Sequence, residues 1–282
     1  MFRQYGISGL LLIIFAEVTM FLRLQPFVTW FTPMVWIGYI LLIDSFVYML
    51  KKSSYLMNKR FKLFMLSLLS INFWFLFEIV NKFSQFQGWY YVNLPESRIT
   101  TFIMGTLSFA TIVPAVLETS ELVGALHLFR KKLNIRLPIN GFIVAILFSI
   151  GIIFVLLPFV ITSPWIWAFV WTGFILLIDP ILYIFHDKKS ILYQLKNRKF
   201  NVILSLFLAG YICGFLWEFW NYWAYTKWYY SIPVIESIKI FEIPAVGFLA
   251  YGPFALELYV MYEFVKILVS RKMFGRIGQL KV

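Results

Sequence analysis

Eight runs of mostly apolar residues, each near the length of a bilayer crossing, constrain this chain more than any other feature. They cover roughly residues 6–22, 28–50, 61–83, 99–126, 140–161, 165–186, 200–223 and 240–269. A helix rises ~1.5 Å per residue, so about 20 apolar residues span the hydrocarbon core. Backbone in lipid must satisfy its own hydrogen bonds, and these runs are too long and continuous for the alternating strands of a barrel. The expected fold is therefore an all-α polytopic membrane protein with eight transmembrane helices. Composition agrees: 61% of the residues are hydrophobic and only 13% are charged, against about 45–50% apolar in a soluble domain.

The net charge of +12 would suggest a nucleic-acid partner on a soluble surface, but its distribution argues for a membrane instead. With eight crossings, 20 of the 25 basic residues lie on one side: at the two ends and in the second, fourth and sixth connections, around Lys51–Lys62, Arg130–Arg136 and Lys188–Lys199. That bias places both termini in the cytoplasm and the chain in the plasma membrane. The expected partners are the lipid bilayer and an apolar lipid, with no nucleic acid; nothing in the sequence specifies an oligomeric state. Cys213 is the sole cysteine, so no internal disulfide forms. His127 and His186 lack a surrounding ligand set, so neither a metal nor a cofactor is expected. Glu17 interrupts the first run and no small-residue cleavage site follows it, which reads as a retained helix rather than a signal peptide.

The chain also matches itself. Trp36–Asp44 (WIGYILLID) corresponds to Trp171–Asp179 (WTGFILLID) at an offset of 135. Glu78 and Asn81 correspond to Glu218 and Asn221 at 140, and Trp89-Tyr90-Tyr91 to Trp228-Tyr229-Tyr230 at 139. Phe109, Pro114, Leu117 and Glu118 correspond to Phe248, Pro253, Leu256 and Glu257, again at 139. The order of the matches predicts two four-helix halves, residues 1–135 and 136–282. An even number of helices per half gives them the same orientation, as in parallel repeats.

Of 13 acids, eight fall into four matched pairs: Asp44/Asp179, Glu78/Glu218, Glu96/Glu236 and Glu118/Glu257. An intramembrane carboxylate costs at least ~2.5–3.5 kcal/mol on insertion scales, so repeated ones point to a task. Structural tasks are open to several of them. Asp44 and Asp179 sit near helix ends and can cap or reach basic loops. Glu118 and Glu257 follow a proline by four residues and can bond across helices. Glu96 and Glu236 fall in loops, where water solvates them. Glu78 and Glu218 stand out, because each shares a helix face with an asparagine three residues on.

The stretch FLWEFWNYW (215–223) sets Glu218 among Trp217, Trp220 and Trp223. Trp74 lies one turn before Glu78, and Phe109 and Phe248 are a matched pair. A carboxyl shielded from water can hand a proton to an alkene, and aromatic faces stabilise the resulting cation. The pattern suggests an acid–aromatic site for a polyene or another prenyl lipid.

Trp217-Glu218, Trp228-Tyr229-Tyr230, the run Ile238–Phe248 (IKIFEIPAVGF), Pro253 and Tyr259 together resemble the integral-membrane lycopene cyclase domain of bacteria, archaea and fungi. The resemblance covers about 45 residues, over a Trp-acid pair, an aromatic turn and a proline-opened helix. The family's paired glutamates fall on Val246 and Gly247, and the nearest acids here are Glu242 and Glu257. What the resemblance implies is a duplicated helical protein that cyclises carotenoid ends by acid chemistry, without net redox change.

Three functions follow as expectations. In the first, a carotenoid or terpenoid cyclase, isomerase or hydratase, Glu218, Glu78, Asn221 and Asn81 act as donor, base and orienters. Asp44, Asp179, Glu118, Glu257 and Glu242 supply a second group, and Trp217, Trp220, Trp223, Trp74, Phe248 and Phe109 line the substrate. In the second, a proton-coupled, cation-coupled or lipid transporter uses the same acids. In the third, a scaffold subunit uses them to hold helices together.

Overall fold

The structure is a computed structural model that describes residues 2–129, 135, 137–185, 187–231 and 239–269. Glu236 and His186, and the basic residues Arg130–Lys132 and Arg136, lie outside the described residues. Eight helical stretches are long and apolar enough to cross a membrane. Five are plain helices: α1 (Gln4–Phe21), α2 (Phe31–Lys51), α4 (Arg60–Phe83), α8 (Ile166–Ile184) and α10 (Phe200–Trp223). A sixth, α7 (Gly141–Leu156), runs into a single 3-10 turn. Two short helices, α3 (Tyr55–Asn58) and α9 (Ile191–Lys196), join α2 to α4 and α8 to α10.

The fourth and eighth stretches are each broken in two. α5 (Arg98–Phe109) gives way to α6 (Ile112–Ala125), and α11 (Ala245–Phe248) to α12 (Tyr251–Val269). The first break falls at residues 110–111, before Pro114. Pro114 and Pro253 each fall at the third position of the new helix, where the missing N–H has no intrahelical partner to lose. Ser70 of α4 staples the first break, since its Oγ donates to Phe109 O and accepts the Val113 N–H at 2.9 Å.

The expectation of an all-α chain needs one correction: four short strands are present. β1 (Trp89–Val92) pairs antiparallel with β2 (Lys227–Tyr230), and β3 (Lys239–Ile240) with β4 (Ile243–Pro244). In the first ribbon Trp89 faces Tyr230 and Tyr91 faces Trp228. Trp89 is buried, and both aromatic triplets are tied into this ribbon. Pairing strands 138 residues apart satisfies backbone that a loop would leave open.

Glycine sets the closest helix contacts. A Cβ on Gly9 would meet Gly38 O at 2.6 Å where α1 crosses α2, and one on Gly151 would meet Leu177 N at 2.3 Å where α7 crosses α8. Lipid tails are as apolar as leucine, so such close backbone approach, not hydrophobic exclusion, draws membrane helices together. α10 packs along both α6 and α12, whereas α4 packs along α6 and has little contact with α12. The interior left on the α4 side is lined with rings: Trp36 lies 5.1 Å from Trp217, and Trp171 lies 5.3 Å from Phe254, between ring centroids.

Candidate functional site

A cavity of about 690 Å³ fills the gap beside α4, with the β1–β2 ribbon over it. That is within the ~300–1,000 Å³ usual for ligand pockets. Trp36, Trp74, Phe109, Trp171, Trp217 and Phe254 form part of its aromatic wall, and Glu78 is the one carboxylate among its described lining residues.

The Glu-x-x-Asn pattern has a local logic. Asn81, buried one turn beyond Glu78, accepts the Gly88 N–H at 2.7 Å and donates to Trp89 O at 2.9 Å. This clamps the start of β1 against the end of α4. So clamped, β1 sends two side chains back to Glu78: Trp89 Nε1 at 3.1 Å and Tyr91 Oη at 2.5 Å. Trp74 Nε1 adds a third donor at 2.8 Å. All three reach Oε1. No donor among the described residues reaches Oε2, and Glu78 lines the cavity.

Asn221 clamps β2 by the same device, accepting the Trp228 N–H at 2.9 Å and donating to Trp228 O at 2.8 Å. Tyr230 then donates to Glu218 Oε1 at 2.6 Å, and Tyr251 of α12 donates to the same oxygen. Glu218 is fully buried and its Oε2 has no partner. It sits behind the two tyrosines, which themselves line the cavity. Burial, with Glu78 or Glu218 beside them, pushes the Tyr91 and Tyr230 hydroxyls well above the ordinary phenol range, so both remain donors. A second cavity of about 320 Å³ shares Trp89, Trp171 and Tyr230 with the first.

The remaining candidates lie elsewhere. Asp44 Oδ1 accepts from Tyr5 and Ser54 at 2.6 and 2.7 Å, and Oδ2 accepts the Leu56 N–H at 2.9 Å. Asp179 likewise accepts the Ile191 and Leu192 N–H groups at 2.7 and 2.8 Å. Each aspartate thus anchors the first turn of the short helix that follows it, at the end of the bundle opposite the ribbon. Glu118 is fully buried with no protein donor to either oxygen. Glu257 is also fully buried, with one 3.3 Å bond from the Phe174 N–H. Neither lines the cavity. Glu242 forms an ion pair with Lys227 in the ribbon region. Of the expected ring residues, the cavity takes Trp74, Phe109 and Trp217. Trp220 instead donates to Glu17 at 2.9 Å, Trp223 is exposed on the surface, and Phe248 stacks on Tyr211.

Several residues of the site escape a reading of intramembrane acids. Tyr91 and Tyr230 belong to the matched aromatic triplets, and Trp36 and Trp171 open the matched WxGxILLID runs, so duplication did mark them. Tyr251 carries no such mark, because its matched position is Ile112. Among the described residues no cluster of three or more His, Cys, Asp or Glu could hold a metal ion. Compared with protein-family models, curated proteins and solved structures, the chain finds no match.

Proposed function

We propose that this is a membrane-embedded enzyme that isomerises, cyclises or hydrates an apolar isoprenoid lipid by proton transfer at Glu78. The observation that carries the reading is the Glu78 carboxyl in the wall of an aromatic cavity, one oxygen held by three donors and the other reached by no donor among the described residues. Pinning Oε1 fixes the direction in which Oε2 delivers a proton, which is the positional control that general acid catalysis needs.

In the reaction, the Oε2–H bond breaks and a C–H bond forms at one alkene carbon, consuming the π pair. The adjacent carbon becomes cationic between the faces of Trp36, Trp74, Trp171 and Trp217, whose quadrupoles stabilise it. Loss of a proton from a neighbouring carbon back to Oε2 restores a double bond at a new place. Attack by a second alkene before that loss closes a ring, and capture by water gives an alcohol. No electrons are gained or lost overall. Glu218 holds Tyr230 and Tyr251, so that their rings complete the wall.

The setting belongs to the same proposal: two same-orientation four-helix halves, both termini in the cytoplasm of a plasma-membrane protein. Matched residues in matched contacts support the halves, notably Asn81 with Asn221 and Asp44 with Asp179. The distribution of basic residues supports the topology.

The test is deuterium exchange. Purified protein in nanodiscs is incubated in D2O with a prenyl-lipid extract, and the lipids are analysed by mass spectrometry. Wild type incorporates deuterium into one lipid class and Glu78→Gln does not. Equal incorporation in both sinks the proposal, and lipid flux in proteoliposomes without any exchange would favour a carrier instead.

A further inference from the structure

The described lining of the cavity has an exposed stretch. Of its lining residues only Leu94, Arg98 and Phe102 are exposed, and they share a single nine-residue segment. That segment spans the start of α5. The same helix turns Ile99, Ile103 and Leu107 outward, at 73%, 46% and 41% exposure, in a span of membrane-crossing character. The exposed segment thus adjoins the outward apolar face of α5. Arg98 stands in it as the one cation among the lining residues and has no acid partner among the described residues. Glu96, two residues away, does not pair with it. Further inside, the walls are rings and the only lining carboxylate is Glu78.

The described lining thus holds one cation, on its exposed segment, and one carboxyl, with rings making up much of the rest. A neutral hydrocarbon gains nothing from an arginine at the rim. A cationic amphiphile is repelled there. An anionic head is attracted to the rim, and the ring-lined interior offers it no cation, so the head stays at the rim while the chain enters. We propose that the cavity takes a single-chain amphiphile with an anionic head, phosphate or carboxylate, seated at Arg98 with its chain running inward toward Glu78. This rests on the reading of the cavity as a lipid site and adds the head-group class and the direction of binding. Arginine suits the task, since its planar fork pairs two oxygens of such a head at once.

The test uses the full chain in phosphatidylcholine nanodiscs, with ligand binding followed by quenching of tryptophan fluorescence. The probes are farnesyl monophosphate, farnesol and farnesylamine. A hydrogen bond to a charged group is worth about 1.5–3 kcal/mol, so the phosphate should bind about tenfold to a hundredfold tighter than the alcohol. The amine should bind weakest. Arg98→Gln should bring phosphate and alcohol to about the same affinity while leaving farnesol binding unchanged, and Arg98→Lys should keep part of the preference. Arg98 is exposed, so neither variant should disturb folding. Inorganic phosphate in large excess should fail to displace farnesyl monophosphate. Glu78→Gln should retain the preference whether or not it abolishes deuterium exchange, so loss of chemistry and loss of head-group recognition are read separately. The inference is overturned if wild type binds phosphate and alcohol alike, if Arg98→Gln keeps the preference, or if free phosphate competes at equal concentration.

Discussion

α4 and α10 carry the same Glu-x-x-Asn signal and meet the same kind of strand, and both border the cavity, yet only one of the two glutamates lines it. The difference lies one and two turns earlier on each helix. α4 has Ser70 and Trp74 where α10 has Gly210 and Gly214, at the offset of 140 that relates the two glutamates. A Cβ on Gly210 would meet Tyr251 O at 2.1 Å, and one on Gly214 would meet the Tyr251 ring at 2.2 Å. Absent side chains let α12 lie flush on α10, and Tyr251 fills the space before Glu218. On α4 the ring comes from the helix itself: Trp74 supplies the donor to Glu78 and also forms cavity wall. One carboxylate is thereby closed off behind two phenols, and the other lines the cavity. The lesson is that duplicated acids diverge through the small residues near them.

This contrast can be broken in graded steps. The largest effect should come from the acids. Glu78→Gln should lower deuterium exchange by about 10²–10⁴-fold, the usual worth of a general acid. Glu218→Gln should cost far less in the same assay, because Glu218 lies behind the wall. An equal loss in both variants would erase the distinction between them.

Next comes packing. Gly210→Val should destabilise by about 3 kcal/mol, since the new side chain meets backbone and not a movable side chain. Ser70→Val at the matched position should lose nearer ~1–2 kcal/mol, the worth of the staple to Phe109 and Val113. Thermal melting in detergent ranks the pair, and a reversed order would refute the account of why α10 sits so close to α12.

The clamps act more locally. Asn81→Ala loses the bonds to Gly88 N–H and Trp89 O, and Asn221→Ala those to the half-buried N–H and O of Trp228, each pair worth about 1–2 kcal/mol in total. Both should loosen the ribbon, which hydrogen exchange at residues 89–92 and 227–230 would report. The smallest change is Trp74→Phe. It keeps a ring in the wall, removes one of three donors to Oε1, and should cost about 1 kcal/mol with exchange only mildly reduced.

The eight apolar stretches were legible in the sequence, because lipid imposes length and hydropathy directly and the ends agree within a few residues. That Glu78 and Asn81 have counterparts in Glu218 and Asn221 was legible from the shared offset of 140. Their division of labour was not. Periodicity puts Glu and Asn on one helix face and suggests that they serve each other, whereas each asparagine serves the backbone of a strand that no apolar pattern announces. WYY and KWYY look like rings at a membrane surface, and the ribbon exists only because the matching segment arrives from 138 residues away. Trp220 and Trp223 misled for a related reason. They flank Glu218 in sequence, but a helix turns 100° per residue and carries them to other faces.

The ribbon has a mechanical consequence. It stitches residues 89–92 to 227–230, and Asn93 and Thr226 add two further bonds across the seam, Asn93 Nδ2 to Tyr225 O at 2.9 Å and Thr226 Oγ1 to Asn93 O at 2.8 Å. A clamshell opening between α4 and α10 at that end would have to tear the whole seam at once. The stitched end therefore resists separation of α4 from α10 by many backbone bonds acting together.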